Sequence, residues 1–229
     1  MELKGRLKLI ADKVPKCTIV NDIGTDHAFI PVYLVKKGVC KKAIAVDVRQ
    51  GPLLAASDNI KHFKLQEVIE TRLGDGLEPI SIEEADVIVI AGMGGILMKD
   101  ILGREMDKAK AANTLVLQPM NSIEILREWL YEKGFIIYDE ELVDEGEKVY
   151  NVINAKWSGS MEPHEVIDYF IGPLLVKKKD QLLRRILNKK VVLIEGILND
   201  LGNTCEDNSK TLEKYKYLIE KYKEILKRL

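Results

Sequence analysis

The chain has 229 residues, 46% of them apolar and 31% charged, with a formal net charge of −1, enough for one large domain or one domain with an appendage. Its longest uncharged apolar run, Val87–Met98, is too short and too interrupted by glycine to cross a bilayer. The near-neutral total hides an asymmetry: residues 160–229 carry 14 Lys and Arg against 11 Asp and Glu, leaving 21 of 35 against 25 of 36 for residues 1–159, a basic tail on an acidic body.

Met1–Lys8 alternates charged and apolar residues, which is not the pattern of a signal peptide. Residues 3–13 set Leu3, Leu7, Ile10 and Ala11 on one side and Lys4, Arg6, Lys8 and Lys13 largely on the other, a short amphipathic helix ending before Pro15. Arg6 is a candidate phosphate contact. Cys17–Val20 reads as a buried strand running into the turn Asn21-Asp22-Ile23-Gly24-Thr25-Asp26-His27-Ala28, and then into an amphipathic helix with Pro31 in its first turns. Strand, turn and helix form the first unit of a nucleotide-binding α/β fold, whose ligand lies beyond the carboxyl ends of the strands; Gly24 lets the backbone approach it. Ala43–Asp47 is a second apolar strand ending in a carboxylate, about 25 residues after Asp22, the spacing at which such folds hold a ribose diol; a helix cap is the alternative role.

Gln50–Ala56 opens a second helix that runs to about His62. Val68–Leu73 is a third strand, delivering Gly74-Asp75-Gly76 at its carboxyl end, where Asp75 either accepts from an adenine amino group or serves an Asp-Gly turn. Ala85–Ile90 is near-continuously apolar, as in a strand covered on both faces, and leads straight into Ala91-Gly92-Met93-Gly94-Gly95. A helix over Ile96–Leu102 and a strand over Thr114–Leu117 follow, closing with Gln118-Pro119-Met120-Asn121. Asn121 and Glu124 read as a capping box for a helix through Leu130. The last strands, Phe135–Tyr138 and Tyr150–Trp157, form a hairpin around the acidic stretch Asp139–Glu147.

Beyond Trp157 the period changes. His164–Ile171 is a helix stopped by Gly172-Pro173. A longer one, Leu174–Leu201, carries Leu183, Leu187, Val191, Ile194, Leu198 and Leu201 on one stripe. After a polar break at 202–209, Leu212, Tyr215, Ile219, Tyr222, Leu226 and Leu229 recur at spacings of three and four, which predicts an antiparallel helical hairpin with arms of roughly 30 Å. Lys178, Arg184 and Arg185, with their basic neighbours, make its outside a candidate RNA arm. The chain thus reads as a domain over 1–159 and a helical coiled-coil domain over 160–229. Three scattered cysteines, Cys17, Cys40 and Cys205, indicate neither a disulfide framework nor a metal knuckle, and point to a reduced, cytoplasmic protein.

With Asp22-Ile23-Gly24-Thr25-Asp26-His27-Ala28, Asp47, Gly51-Pro52-Leu53, Gly74-Asp75-Gly76-Leu77, Ala91-Gly92-Met93-Gly94-Gly95 and Leu117-Gln118-Pro119 in register, the chain closely resembles the bacterial TrmK family. These are tRNA methyltransferases that modify N1 of adenine 22. The resemblance covers roughly residues 2–157 with specific motifs and extends more loosely over the tail. It implies a class I methyltransferase (Rossmann-like) sheet of seven strands with the last antiparallel, S-adenosylmethionine as cofactor, tRNA as partner and no metal. Carried over residue by residue, Asp22 and Gly24 line the methionine side, Asp47 with Val48 the ribose, Asp75 and Gly76 the adenine ring, and Gly92 and Met93 the sulfonium. The family has a tyrosine where this chain has Phe29, which keeps a stacking surface but no phenol hydroxyl.

Amino-adenine methyltransferases place an Asn or Asp with two prolines after strand four, where this chain has Gly92-Met93-Gly94-Gly95; a ring nitrogen is therefore the more natural target. Asp26, two residues past Gly24, is the candidate for the charge or proton left by methylation, and His27 for orienting it; capping the next helix is the alternative for both. Three other functions share parts of the pattern. An NAD-dependent oxidoreductase is disfavoured because the turn lacks the second and third glycines and Asp26 repels a pyrophosphate. A non-catalytic binding protein leaves the acidic turns unexplained, and a small-molecule methyltransferase leaves the basic tail unexplained.

Overall fold

The structure, a computed structural model, describes residues 1–201 and 209–229; Cys205 and most of the polar break read at 202–209 lie outside the described residues. The chain divides into two compact units, Met1–His164 and Glu165–Leu229.

The first unit is built on a seven-stranded sheet in the order β3-β2-β1-β4-β5-β7-β6. Its strands are β1 (Cys17–Ile23), β2 (Cys40–Asp47), β3 (Ile69–Leu73), β4 (Val87–Met93), β5 (Thr114–Pro119), β6 (Phe135–Glu145) and β7 (Lys148–Trp157). All neighbours pair in parallel except β7, which is antiparallel to both β5 and β6. Central β4 shows why the strand is uniformly apolar: Ile88 and Ile90 join one core and Val87 and Val89 the other, all at most 1% exposed. Over the first face pack α4 (Gly95–Arg104), α5 (Met106–Ala111) and α6 (Ile123–Glu132), through Met98, Leu102, Ala109, Leu126 and Leu130. Over the second pack α1 (Gly5–Asp12), α2 (Phe29–Lys36) and α3 (Gln50–His62), through Ile10, Ile30, Leu34, Ala56 and Ile60. The turns read after the first five strands all fall at the carboxyl edge of the parallel part of this sheet.

Four local expectations are corrected. The acidic stretch Asp139–Glu147 is mostly strand, because its carboxylates have cationic partners across the fold: Lys13 bonds Asp139 at 2.7 Å and also meets Glu141, and Arg6 bonds Glu145 at 3.1 Å. Asn121 does not cap α6, whose N-cap is Ser122 in a left-handed conformation without a side-chain bond. Instead, the Asn121 carbonyl accepts the Gly95 N–H at 2.9 Å, joining the turns after β5 and β4. The helix read over Leu174–Leu201 is broken: α8 (Pro173–Lys178) ends at left-handed Lys179, and the Asp180 carboxylate accepts the Leu182 N–H at 2.8 Å to start α9 (Gln181–Leu201). Asp competes for backbone donors in this way, and periodicity alone does not register it. Finally, Cys17 and Cys40 are first partners in the β1–β2 register, with Cα atoms 4.8 Å apart, and are joined in a disulfide. Their separation of 23 residues carried no sign of it, since only the register brings them together.

A buried ion pair also has no signature in the local sequence. Arg127 of α6 and Glu140 of β6, both buried, are bonded through the guanidinium, and Asn151 of β7 donates to the same carboxylate at 2.8 Å. Breaking such a pair costs about 3–5 kcal/mol because a buried charge loses its partner.

In the second unit, α7 (Val166–Ile171) and α8 precede α9 and α10 (Ser209–Arg228). The last two pack together, Leu183, Leu187, Ile194, Leu218 and Tyr222 are buried, and Lys223 bonds Glu195 at 2.8 Å. On α10 Leu218 and Tyr222 are buried, while Ile219, read on the apolar stripe, is only partly so. Among the described residues no helix is long and apolar enough to cross a membrane.

Candidate cofactor and base cleft

The turn after β1 is tied to its neighbour strand: the N–H groups of Gly24 and Thr25 both donate to the Val46 carbonyl, at 2.8 and 2.9 Å. Gly24 has φ +73°, a conformation that favours glycine, and a Cβ there would displace the Met93 methyl group. Asp22, buried at the end of β1, accepts the Thr25 hydroxyl at 2.6 Å. Asp47, likewise buried at the end of β2, accepts the Arg49 N–H at 2.8 Å through one oxygen. That bond is a turn contact and not the helix cap considered for it, since the N-cap of α3 is Arg49, without a side-chain bond, and it occupies only Oδ1. The Gly74 N–H donates to the Asp47 carbonyl at 3.1 Å, which brings the third acidic turn to the same edge.

Burial pushes the Asp22 carboxyl up to about 6; the Thr25 hydroxyl opposes this and the Asp47 charge adds to it. The folded protein therefore holds this proton up to about pH 6, whereas the unfolded chain releases it near pH 4. The stabilisation from neutral Asp22 is full below pH 4 and is lost as pH rises through 6, about 3 kcal/mol in all. Urea unfolding at pH values of about 4.5 and 7.5 is expected to show that decline in the wild type and a flatter profile in Asp22→Asn. Identical pH slopes in the two proteins would refute the assignment.

Asp26, His27 and Ala28 form the mouth of the turn. His27 and Ala28 both have left-handed backbones (φ +60° and +51°), and Asn59 of α3 holds the His27 carbonyl at 2.7 Å. The N-cap of α2 is Ala28, with no side-chain bond, so neither Asp26 nor His27 caps that helix. The Asp26 carboxylate is 82% exposed and lies 3.5 Å from His27 Nε2. The His27 ring stacks on Phe29, centroids 5.2 Å apart and planes 17° from parallel. At the end of β4, Gly92 has φ +76° and open space where a Cβ would stand, and its N–H donates to Gln118 Oε1 at 3.2 Å.

These elements enclose a cleft of about 320 Å3 between the ends of β1 and β4, whose walls include Arg6, Asp22, Gly24, Asp26, Phe29 and Gln118, with Gly92 at its floor. A wider, more open depression of about 690 Å3 lies at the opposite edge of the sheet, beside Lys16 and Asp86. There Asp86 already accepts the N–H groups of Thr18 and Ile19, at 2.7 and 3.2 Å, so it serves the fold.

Arg6, Asp22, Gly24, Asp26, Phe29 and Gly92, all singled out in the sequence, thus share one cleft, with His27 at its rim and Asp47, Val48 and Met93 on adjoining strand ends. Val48 is exposed at the edge beside Asp47. Asp75 behaves differently. Its carboxylate is held by Arg104 of α4, at 2.6 and 3.0 Å, which lowers its pKa, while Gly76 (φ +63°) backs onto Ile101. Lys178, Arg184 and Arg185 lie on the second unit, with Lys178 and Arg184 exposed and Arg185 partly so. Gln118 was not singled out as a site residue; its signal is a polar side chain directly after the apolar run Leu115–Leu117, and it is fully buried. The Arg104 and Glu145 partnerships had no local signal.

A family model described as a methyltransferase domain matches residues 3–153. The tRNA (adenine(22)-N(1))-methyltransferase of Bacillus subtilis is 32% identical over 99% of this chain and 98% of its own length. The crystal structure of the B. subtilis tRNA methyltransferase TrmK superposes with a TM-score of 0.90 at 31% identity, covering 98% of this chain and 99% of that one. Streptococcus pneumoniae Sp1610, in complex with S-adenosyl-L-methionine, superposes at 0.86 with 32% identity, over 96% and 98% of the two chains. With its motifs, its sheet order and its whole length shared in this way, the chain belongs to the TrmK family of tRNA (adenine(22)-N(1))-methyltransferases.

Proposed function

We propose that the protein transfers the methyl group of S-adenosylmethionine to N1 of adenine 22 in tRNA. The observation that carries this reading is a single cleft joining Asp22, Gly24 and Gly92 to Asp26 and Phe29, in a chain alike from end to end to a B. subtilis enzyme of that activity.

The residues suit the cofactor. It presents an ammonium group, a sulfonium and a ribose diol, and the sheet edge offers two buried carboxylates beside glycines that leave room for a ligand. Asp22 and Gly24 face its methionine end, and Asp47, through its unshared oxygen, takes the ribose with Val48 alongside. Gly76 and Asp75 border the adenine, Asp75 while shared with Arg104, and Gly92 and Met93 border the sulfonium. The cofactor supplies a methyl group already activated by the positive sulfur. Adenine N1 has a free lone pair at neutral pH, so alignment provides much of the acceleration. As the N1–methyl bond forms and the carbon–sulfur bond breaks, the base becomes cationic. Asp26 stabilises that charge or takes a proton from the exocyclic amine, with His27 beside it. The stacked His27–Phe29 pair receives the base once it has swung out of the tRNA, a step that costs a few kcal/mol. Arg6 at the cleft, and Lys178, Arg184 and Arg185 on the second unit, contact RNA phosphates and offset that cost. We assign residues 1–159 to cofactor binding and chemistry, the helical remainder to tRNA, and the protein to the cytoplasm, where its substrate is.

The test is incubation with S-adenosylmethionine and unmodified tRNA carrying adenine at position 22, followed by nucleoside mass spectrometry. The expected product is N1-methyladenosine that disappears when the adenine is replaced by guanine. Another methylated nucleoside would discard the target, and none at all, with cofactor bound, would move the acceptor to a small molecule.

A further inference from the structure

The start of α1 lacks every local device for beginning a helix. Its N-cap is Lys4, with no side-chain bond, and its first turn holds no acidic residue. The missing acceptor comes from the tip of the β6–β7 hairpin, 139 residues away: Glu145 Oε1 accepts the Arg6 backbone N–H at 2.7 Å. A carboxylate at that point satisfies an orphan donor and meets the positive end of the helix dipole. The other oxygen of the same carboxylate accepts from Arg6 Nη1 at 3.1 Å. The guanidinium carbon lies over the Tyr150 ring, 5.2 Å from its centroid. Gly5 turns the chain into this position with φ +53°, and a Cβ there would run into the Glu145 carboxylate. Arg6 also lines the cleft that holds Asp26 and Phe29.

We infer that the hairpin tip, through Glu145 and Tyr150, is a positioning element that fixes the Arg6 guanidinium at the wall of the cleft to receive a phosphate beside the flipped nucleotide. A free arginine side chain gives up much of its rotamer freedom when it is immobilised on a ligand. Here the Arg6 backbone N–H and one edge of the guanidinium are already held by Glu145, and the group rests over Tyr150, in the unliganded protein. Glu145 engages a single N–H donor of the guanidinium, so the remaining edge is available for the planar, two-point recognition of phosphate that this group favours. The pair is partly exposed, at 36% and 30% for the two side chains, so an incoming anion reaches it without unpacking the fold. Glu145 and Tyr150 touch no substrate; they act through Arg6. This rests on the functional reading above, because it needs an RNA to bind.

The experiment is a double-mutant cycle in the full-length protein with R6Q, E145Q and R6Q/E145Q, measuring tRNA KM, kcat and cofactor Kd. The amide introduced by E145Q keeps an acceptor for the α1 backbone while removing the charge that orients Arg6. Expected are a roughly five- to tenfold rise in tRNA KM for E145Q, little change in kcat or cofactor Kd, and a double variant no worse than R6Q. Y150L should raise KM in the same direction. Any of three results overturns the inference: a lower KM in E145Q, meaning that the carboxylate only neutralises Arg6; effects that multiply in the double variant; or R6Q itself being silent. A wild-type protein that methylates no tRNA would overturn the functional reading instead, and the inference with it.

Discussion

Replacing Asp26 with alanine is expected to lower the single-turnover rate about a hundredfold while leaving the affinity for S-adenosylmethionine within about twofold. Two structural facts set the direction. The carboxylate caps nothing, because α2 begins at Ala28 without a side-chain bond, so its removal leaves the helix start intact. It also stands in the wall of the cleft beside the stacked His27–Phe29 pair, the place to which the proposed reaction assigns the base. General-base and electrostatic contributions of this kind span about 10²–10⁴-fold, and the open position of Asp26, 82% exposed, puts it at the lower end. Asp26→Asn separates charge from shape: an effect equal to that of the alanine variant assigns it to charge. Near-normal turnover in Asp26→Ala would remove the residue from the mechanism.

Ending the chain at His164 is expected to weaken tRNA binding about a hundredfold at physiological salt and to leave cofactor binding in place. The first unit should survive alone, because both apolar clusters of the sheet are built from residues between Leu3 and Ala155. The second unit contributes two helices of 21 and 20 residues, each roughly 30 Å long. It is also the part of the chain with net positive charge. Removing one phosphate interaction flattens the slope of log affinity against log salt by about one, so the truncated form should show a shallower slope as well as weaker binding. Filter binding of radiolabelled tRNA across a salt series measures both. Undiminished affinity in the truncated protein would take the RNA-binding role away from the helical unit.

The Asp75 carboxylate, shared with Arg104 on α4, is oriented before any ligand arrives. Lys99 and Asp100 on the same helix are partly exposed and exposed, so this side of the sheet edge is open to solvent.

Much of this protein is written in neighbouring residues. The apolar runs of β1, β2, β4 and β5, the acidic or glycine turns that follow them, and the long apolar stripes of the tail each follow from burial repeating at the period of a strand or helix. Gly24 and Asp47 were legible for the same reason: a turn at a strand end needs particular residue types in a fixed order. The partnerships, by contrast, come from packing between distant segments. The pairing of Cys17 with Cys40 and of Gly92 with Gln118 depends on which strands lie side by side and in what register. Arg104 reaches Asp75, and Glu145 reaches Arg6, because connections of 29 and 139 residues fold back onto one edge. The acidic stretch after Tyr138 became strand because Arg6 and Lys13, on and just after α1, stand opposite it, and Asn121 left its capping role for a bond with Gly95. Local pattern records whether a side chain is buried, a property each residue shares with its neighbours in the chain. Which group it meets there is set by packing between segments that the chain order keeps apart.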